Sequence, residues 1–236
     1  MSYLKQLINN HSPLVMKRKK EYIQYNFGYL INQKLAQKNV SVLEIGPGMG
    51  EFISYCNEHG VVSVDIVDLE KEALQEIKKI YQVRNMWLSG DVSSIEGQLS
   101  NYDIIMMTQV LEHIPPNNHI TYLRSLYRLL KKGGFIIITV PNIGNPLAIF
   151  ERYYDYTHKT AFTENSLTQL VDFLNLKGAK IKLQPFNIPQ YSFINIFRYC
   201  FQQVLHMLFK ILFMINGGVI PSIFTTNITL IIEKTV

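Results

Sequence analysis

Short, nearly continuous apolar runs alternate along this chain with longer segments whose apolar residues fall at helical spacing. Runs of the first kind stand at Val42–Ile45, Val61–Asp65, 85–88, Tyr102–Met107, 135–140, 179–186 and 226–234, and each has the length of a buried strand. Helical spacing is read at 1–12, 18–38, 50–59, 69–81 and 163–176, and in a long segment that closes at Lys131-Lys132-Gly133-Gly134. The helix at 18–38 carries Tyr22, Tyr25, Tyr29 and Leu30 near one face, with Ile23 and Phe27 beside them. Gly60 ends the helix 50–59, and Asp68 stands as a cap ahead of 69–81. The alternation reads as one sizeable α/β domain.

One stretch breaks the repeat. Between the last two strands lie about forty extra residues, where Phe193, Phe197, Cys200, Phe201, Val204, Leu208, Leu212 and Ile215 recur at helical spacing. Arg198, Gln202, His206 and Lys210 form a narrow polar stripe at i, i+4 intervals, too frequent for a membrane span of about 20 apolar residues. Three readings stay open for this helix. It packs on the domain or on a second subunit, it lies in a membrane interface with Arg198 and Lys210 near headgroups, or it roofs a greasy acceptor. Gly217-Gly218 ends it, and Ile220–Phe224 forms another apolar loop.

The chemistry is concentrated after the first strand, in Val42-Leu43-Glu44-Ile45-Gly46-Pro47-Gly48-Met49-Gly50-Glu51-Phe52. Glycines allow a turn with positive φ and a close approach of ligand to backbone. The helix behind them offers free N–H groups and the positive end of its dipole, which suits a carboxylate or phosphate. A dinucleotide fingerprint, Gly-x-Gly-x-x-Gly, would need glycine at residue 51, which is Glu. The pattern here is Glu-x-Gly-x-Gly-x-Gly. It resembles the first motif of the class I S-adenosylmethionine (SAM) dependent methyltransferases, in which the loop wraps the methionine end of SAM and the acid, here Glu44, helps to hold the amino acid moiety.

Later segments extend the resemblance in the same order. Asp103 opens the fourth strand and Leu111-Glu112-His113 follows its end. The Lys-x-Gly-Gly turn comes next, and the fifth strand ends in Pro141-Asn142. Asp65 stands 19 residues after Gly46, near the distance at which a carboxylate meets a ribose diol in nucleotide-binding βαβ units. The resemblance assigns Asp91 to the adenine amine and Val92 to the adenine ring. Gln109, Glu112, His113 and Asn142 fall at carboxyl ends of strands, where open α/β sheets bind their ligands, and Gln109 joins Glu44, Gly46, Gly48, Gly50, Asp65, Asp91 and Val92 as a cofactor-binding expectation. The segment Asp155-Tyr156-Thr157-His158 and the Phe162-Thr163 helix start resemble the Asp-x-Thr-His element of many methyltransferases of one branch. His113 and His158 are therefore the two candidates for a catalytic base, each equally open to a structural role. Some relatives bind a divalent metal through Glu-x-x-Glu-His and a later histidine. Here that set would be Gln109, Glu112, His113 and His158, and a neutral amide is a poor ligand for a hard cation, so no metal is expected.

Composition adds boundaries. The chain has 236 residues, 47% of them hydrophobic, enough for one domain that buries roughly 70% of its extended surface. Cys56 and Cys200 lack metal-ligand spacing and read as free core thiols in a reducing compartment. Met1 to Pro13 has no apolar segment of signal-peptide type, so a cytoplasmic location is expected, with the inner membrane face left open. The net charge is +5 with a pI near 9.0, part of it in Lys17-Arg18-Lys19-Lys20. That run reads as a solvated helix end, and with no nucleic-acid module beside it, nucleic acid is not an expected partner.

The resemblance implies a Rossmann-like, doubly wound seven-stranded sheet with an antiparallel last strand, plus the hydrophobic helical insertion. One methyltransferase domain is expected over 1–236: helices at 1–40, a cofactor-binding core at 41–186, the insertion at 187–225 and the last strand at 226–236. The expected activity is SAM-dependent methyl transfer to a small-molecule or saccharide acceptor, first of all O-methylation in bacterial surface polysaccharide synthesis. Quinone or lipid O-methylation, N-methylation and a non-catalytic SAM-binding scaffold are the alternatives. A homodimer stays open.

Overall fold

A computed structural model describes residues 12–235; the helix expected before Ser12 lies outside the described residues. The first helix, α1 (Pro13–Leu35), starts five residues earlier than its apolar spacing suggests. Ser12 caps it through its side chain, and Pro13 occupies the first turn, where its missing N–H costs nothing. There follow β1 (Val42–Ile45), α2 (Glu51–Glu58), β2 (Val64–Asp68), α3 (Lys71–Ile80), β3 (Asn85–Leu88), the short α4 (Val92–Ile95) and β4 (Tyr102–Thr108). The second half contains α5 (His119–Arg128), β5 (Leu130–Pro141), α6 (Ile149–Tyr154), α7 (Glu164–Leu174), β6 (Ala179–Pro185), α8 (Phe193–Ile215) and β7 (Asn227–Lys234).

The strands form one seven-stranded sheet in the order β3-β2-β1-β4-β5-β7-β6, parallel throughout except for β7, which runs antiparallel to both neighbours. The order reverses at β1, so the chain crosses to opposite faces on either side of it, as in doubly wound sheets. Two apolar layers cover those faces. One holds Phe27 and Ile31 of α1 with Phe52, Ile53 and Cys56 of α2; the other holds Leu111, Leu123, Leu126 and Leu167. Each such fully buried side chain contributes about 1.5–3 kcal/mol relative to exposure. Cys56 is a core thiol as expected, whereas Cys200 lies exposed on α8.

One element differs from expectation in a way that moves the site. The second strand is Val64–Asp68, not Val61–Asp65. Gly60 takes φ 78° and lets the chain turn off α2, and Val61 packs into the core before the strand begins. Val42 pairs with Val64 and Leu43 with Asp65. Asp65 therefore lies inside a strand buried on both faces, and Asp68 takes the carboxyl end.

Candidate active site

Gly46, Gly48 and Gly50 adopt φ of 64°, 54° and 80°, and carry the chain from β1 into α2. A Cβ on Gly46 would collide with Cγ2 of Val110, from the segment after β4. The glycine thus lets two strand ends close on each other. Gly50 caps α2 with no side-chain hydrogen bond, so first-turn N–H groups are left for an anionic ligand. Beneath the loop, Glu44 is buried and its Oε2 has no partner. Burial, and then the nearby Glu51 carboxylate, push its pKa well above the ordinary value. A cationic group at the loop would satisfy that oxygen and restore its charge. An ammonium group such as that of SAM would fit this requirement.

On the neighbouring strand, Asp65 is fully buried and committed to the protein. Arg84 donates to both its oxygens, Nε at 2.9 Å and Nη2 at 2.5 Å; Asn85 adds its backbone N–H and Nδ2 at 3.1 Å, and the Tyr102 hydroxyl donates at 2.8 Å. The expectation of a ribose contact there is corrected: a carboxylate with five donors has no acceptor site to spare. Asp68 stands at the carboxyl end of β2 instead, beside the end of β1. Its Oδ1 accepts the Glu70 N–H at 2.8 Å, and burial raises its pKa against the help of that bond.

Asp91 follows β3 and caps α4, accepting from Ser93 N–H and Oγ at 2.9 and 2.7 Å through one oxygen, Oδ1. Val92 has no exposed surface and belongs to the apolar core, so its side chain does not face the cleft as the resemblance suggested. Gln109 takes φ 55°, and its Nε2 donates to Asn227 Oδ1 at 2.9 Å, tying the turn after β4 to β7. Asn142 is likewise spent on structure, donating to the carbonyls of Ile223 and Thr225 and accepting from Gly144 N–H.

Directly after Val110, the Leu111–His113 turn and the 155–160 segment come together. Backbone N–H groups of Lys159 and Thr160 donate to the Glu112 carbonyl at 2.8 and 3.1 Å, docking the segment on the turn. Thr157 donates its hydroxyl to Asp155 Oδ1 at 2.7 Å and lies 2.9 Å from His113 Nδ1. Although desolvation opposes it, hydrogen bonds from Thr157 hold Asp155 below the usual carboxylate range, so Asp155 is an acceptor only. The Thr157 proton is committed to Asp155, so His113 carries its own proton on Nδ1 and keeps the Nε2 lone pair free. Burial, then the neighbouring His158 ring, lower the His113 pKa. The His113 and His158 rings lie edge-on with centroids 4.7 Å apart.

Glu112 is the site residue that sequence reading undervalued. Its side chain is 1% exposed, both carboxylate oxygens lack partners, and burial raises its pKa to about 8. Only the Leu-Glu-His motif hinted at it; burial is invisible in a run of letters. Ligand atoms of Glu112, His113 and His158 lie within 4.8 Å of one another, close enough to share one divalent ion. The donor set of two imidazoles and a carboxylate, and the unpartnered Glu112 oxygens, fit such an ion; the Gln109 amide, tied to Asn227, would take no part in holding it.

A family model for a methyltransferase domain matches residues 16–180, most of the chain. No curated protein matches it in sequence. Among solved structures, a SAM-dependent methyltransferase from Archaeoglobus fulgidus is similar with a TM-score of 0.63 at 21% identity, covering 98% of this chain and 99% of the other. The plantazolicin methyltransferase BpumL, solved in complex with SAH, is similar with a TM-score of 0.64 at 17% identity, covering 98% and 88%. A SAM-dependent methyltransferase from Mesorhizobium loti follows at 0.55 and 12% identity, covering 82% and 90%. At these identities the likeness is one of fold. The chain belongs to the methyltransferase-domain family and is a class I SAM-dependent methyltransferase.

Proposed function

We propose that this methyltransferase O-methylates a sugar hydroxyl, on a precursor of bacterial surface polysaccharide. The observation that carries the reading is His113. It is fixed by Asp155 and Thr157 in the tautomer with a free Nε2, on the turn after Val110, whose side chain lies against Gly46 of the glycine loop. SAM, when bound, supplies a methyl group on a positively charged sulfur, so the chain has mainly to align the acceptor and remove its proton. His113 takes the hydroxyl proton at Nε2, and the ionised Asp155 steadies the ring through Thr157 as it becomes charged. His158 stands beside it at the acceptor side. Tyr153, Tyr154 and Tyr156 next to this segment are exposed, and their flat faces and hydroxyls suit a sugar ring.

In the same reading, Glu44, the glycine loop, Asp68 and Asp91 hold the cofactor. Asp68→Ala should weaken SAM binding about ten- to hundred-fold, the loss expected for hydrogen bonds to a charged group, with the melting temperature little changed. Calorimetric titration with SAM and SAH measures it. Unchanged affinity would remove Asp68 from the site. The acceptor class is tested by methyl transfer to a panel of nucleotide sugars, glycolipids, phenols and amines. Transfer to phenols or amines alone would overturn the sugar assignment.

The unpartnered Glu112 favours a second reading, in which Glu112, His113 and His158 hold a divalent ion that acidifies the acceptor hydroxyl. Thermal melts with Mg²⁺, Mn²⁺ and Zn²⁺ decide between them. A concentration-dependent rise of the melting point, lost in Glu112→Gln, would support the ion. No shift with any of the three, together with activity after chelation, would leave His113 as the base acting alone.

A further inference from the structure

The long helix α8 is amphipathic in the wrong sense for a helix packed on its own domain. At 100° per residue, Phe193, Phe197, Val204, Leu208, Ile211 and Ile215 share one face, and every one of them is exposed, Phe193 by 92% and Ile215 by 77%. Phe209 is the only buried residue of its 23. The side toward the domain carries Gln202 and His206, whose Oε1 and Nε2 are buried without partners. Two of its polar groups therefore face inward beside Phe209 and Phe213, which pack on Phe224, and an apolar face some 34 Å long (1.5 Å per residue) points to the outside. Val219, beyond the helix, continues this apolar surface at 89% exposure.

Charge decides what covers that face. No Asp or Glu stands between Asp172 and Glu233, against five basic residues, Lys177, Lys180, Lys182, Arg198 and Lys210. On α8 itself Arg198 and Lys210 lie about 120° to either side of the apolar centre line, both exposed. They occupy the two rims, where long basic side chains reach headgroups while their stems lie on apolar surface. A second copy fits poorly. A two-fold contact through α8 would set Arg198 and Lys210 of both protomers along one seam with no acid on either helix to pair them. No described helix is long and apolar enough to cross a membrane. The run Lys17-Arg18-Lys19-Lys20 is in part spent elsewhere, since Lys19 and Lys20 pair with Glu51 and Glu58.

We propose that α8 is a membrane-docking helix, lying in the interface of an anionic lipid surface with its Phe193–Ile215 apolar face in the acyl boundary and Arg198 and Lys210 at the headgroups. Flotation of the full chain with phosphatidylcholine vesicles, and with vesicles that also contain phosphatidylglycerol, tests this. The protein should float with the anionic vesicles, much less with the neutral ones, and less as salt is raised. Phe197→Glu combined with Leu212→Glu alters only exposed positions and should abolish flotation while SAM binding is kept. Arg198→Gln and Lys210→Gln should each weaken binding to anionic vesicles roughly five-fold. No flotation of the wild type with either vesicle, or equal flotation of the double Glu variant, would overturn the proposal. So would a dimer in sedimentation velocity that the double variant dissociates, if the wild type ignores vesicles.

Discussion

Asp65→Ala should cost about 3 kcal/mol of stability, because it takes a fully buried carboxylate away from a part-exposed Arg84 and from the buried Tyr102 hydroxyl. For a chain of this size that lowers the melting temperature by about 10 °C, as calorimetry or a circular dichroism melt would show. The reason lies in the five donors around the carboxylate. Without it, Arg84 loses its bidentate partner, the Tyr102 hydroxyl is left buried and unpaired, and the Asn85 N–H at the start of β3 loses its acceptor. Strands β2, β3 and β4 are held together through this one side chain. In the fraction that remains folded, SAM affinity should stay within about two-fold of wild type, because Asp65 accepts nothing from outside the protein. Lost SAM binding at an unchanged melting temperature would put the ribose back on Asp65.

His113→Ala should reduce kcat by about 10²–10⁴, the range for removing a general base, with SAM binding unchanged. Its pH profile separates the two titrating neighbours. A base works only when unprotonated, so the rate falls as pH drops through its pKa. Burial and His158 lower the pKa of His113, so the acid limb should lie below the ordinary imidazole value of about 6.5. A limb near 8 would instead assign the proton transfer to Glu112, whose pKa is about 8. Stability reports on Glu112 independently. Its folded pKa exceeds the unfolded value of about 4.3, so the folded protein holds the proton more tightly. That contribution is complete below about pH 4 and is lost as pH rises through 8. Glu112→Gln, neutral at every pH, should therefore be more stable than wild type above pH 8, by on the order of a few kcal/mol. If His113→Ala and His158→Ala both turn over at the wild-type rate, neither imidazole is the base.

Much of this protein is legible along the chain. The glycine spacing after β1 and the Leu-Glu-His turn after β4 need only local geometry: a loop with positive φ, a strand end, a helix start. Those constraints act between residues a few positions apart, so they are written in neighbouring letters. The alternation of strands and helices and the position of α8 between β6 and β7 are of this kind; the antiparallel last strand is implied by the resemblance alone, since it pairs with residues 135–141 and 179–185 far along the chain.

The errors occurred where the deciding partner is distant. Val61–Asp65 and Val64–Asp68 are both apolar runs ending in aspartate, and only pairing with β1 sets the register. A three-residue shift moved Asp65 from the end of the strand to its interior, and the partner that makes Asp65 structural is Arg84, just before the next strand. Val92 and Gln109 moved for the same reason, one into the core and the other onto Asn227, 118 residues away. The spacing of α8 specified an amphipathic helix, but periodicity has no absolute direction. Only packing against Phe224 through His206 and Phe209 turned its apolar face outward. Sequence determined which elements form and which chemistry they carry. Tertiary structure decided which acids are buried in pairs and which stand at strand ends, because burial and pairing are properties of residues brought together from far apart.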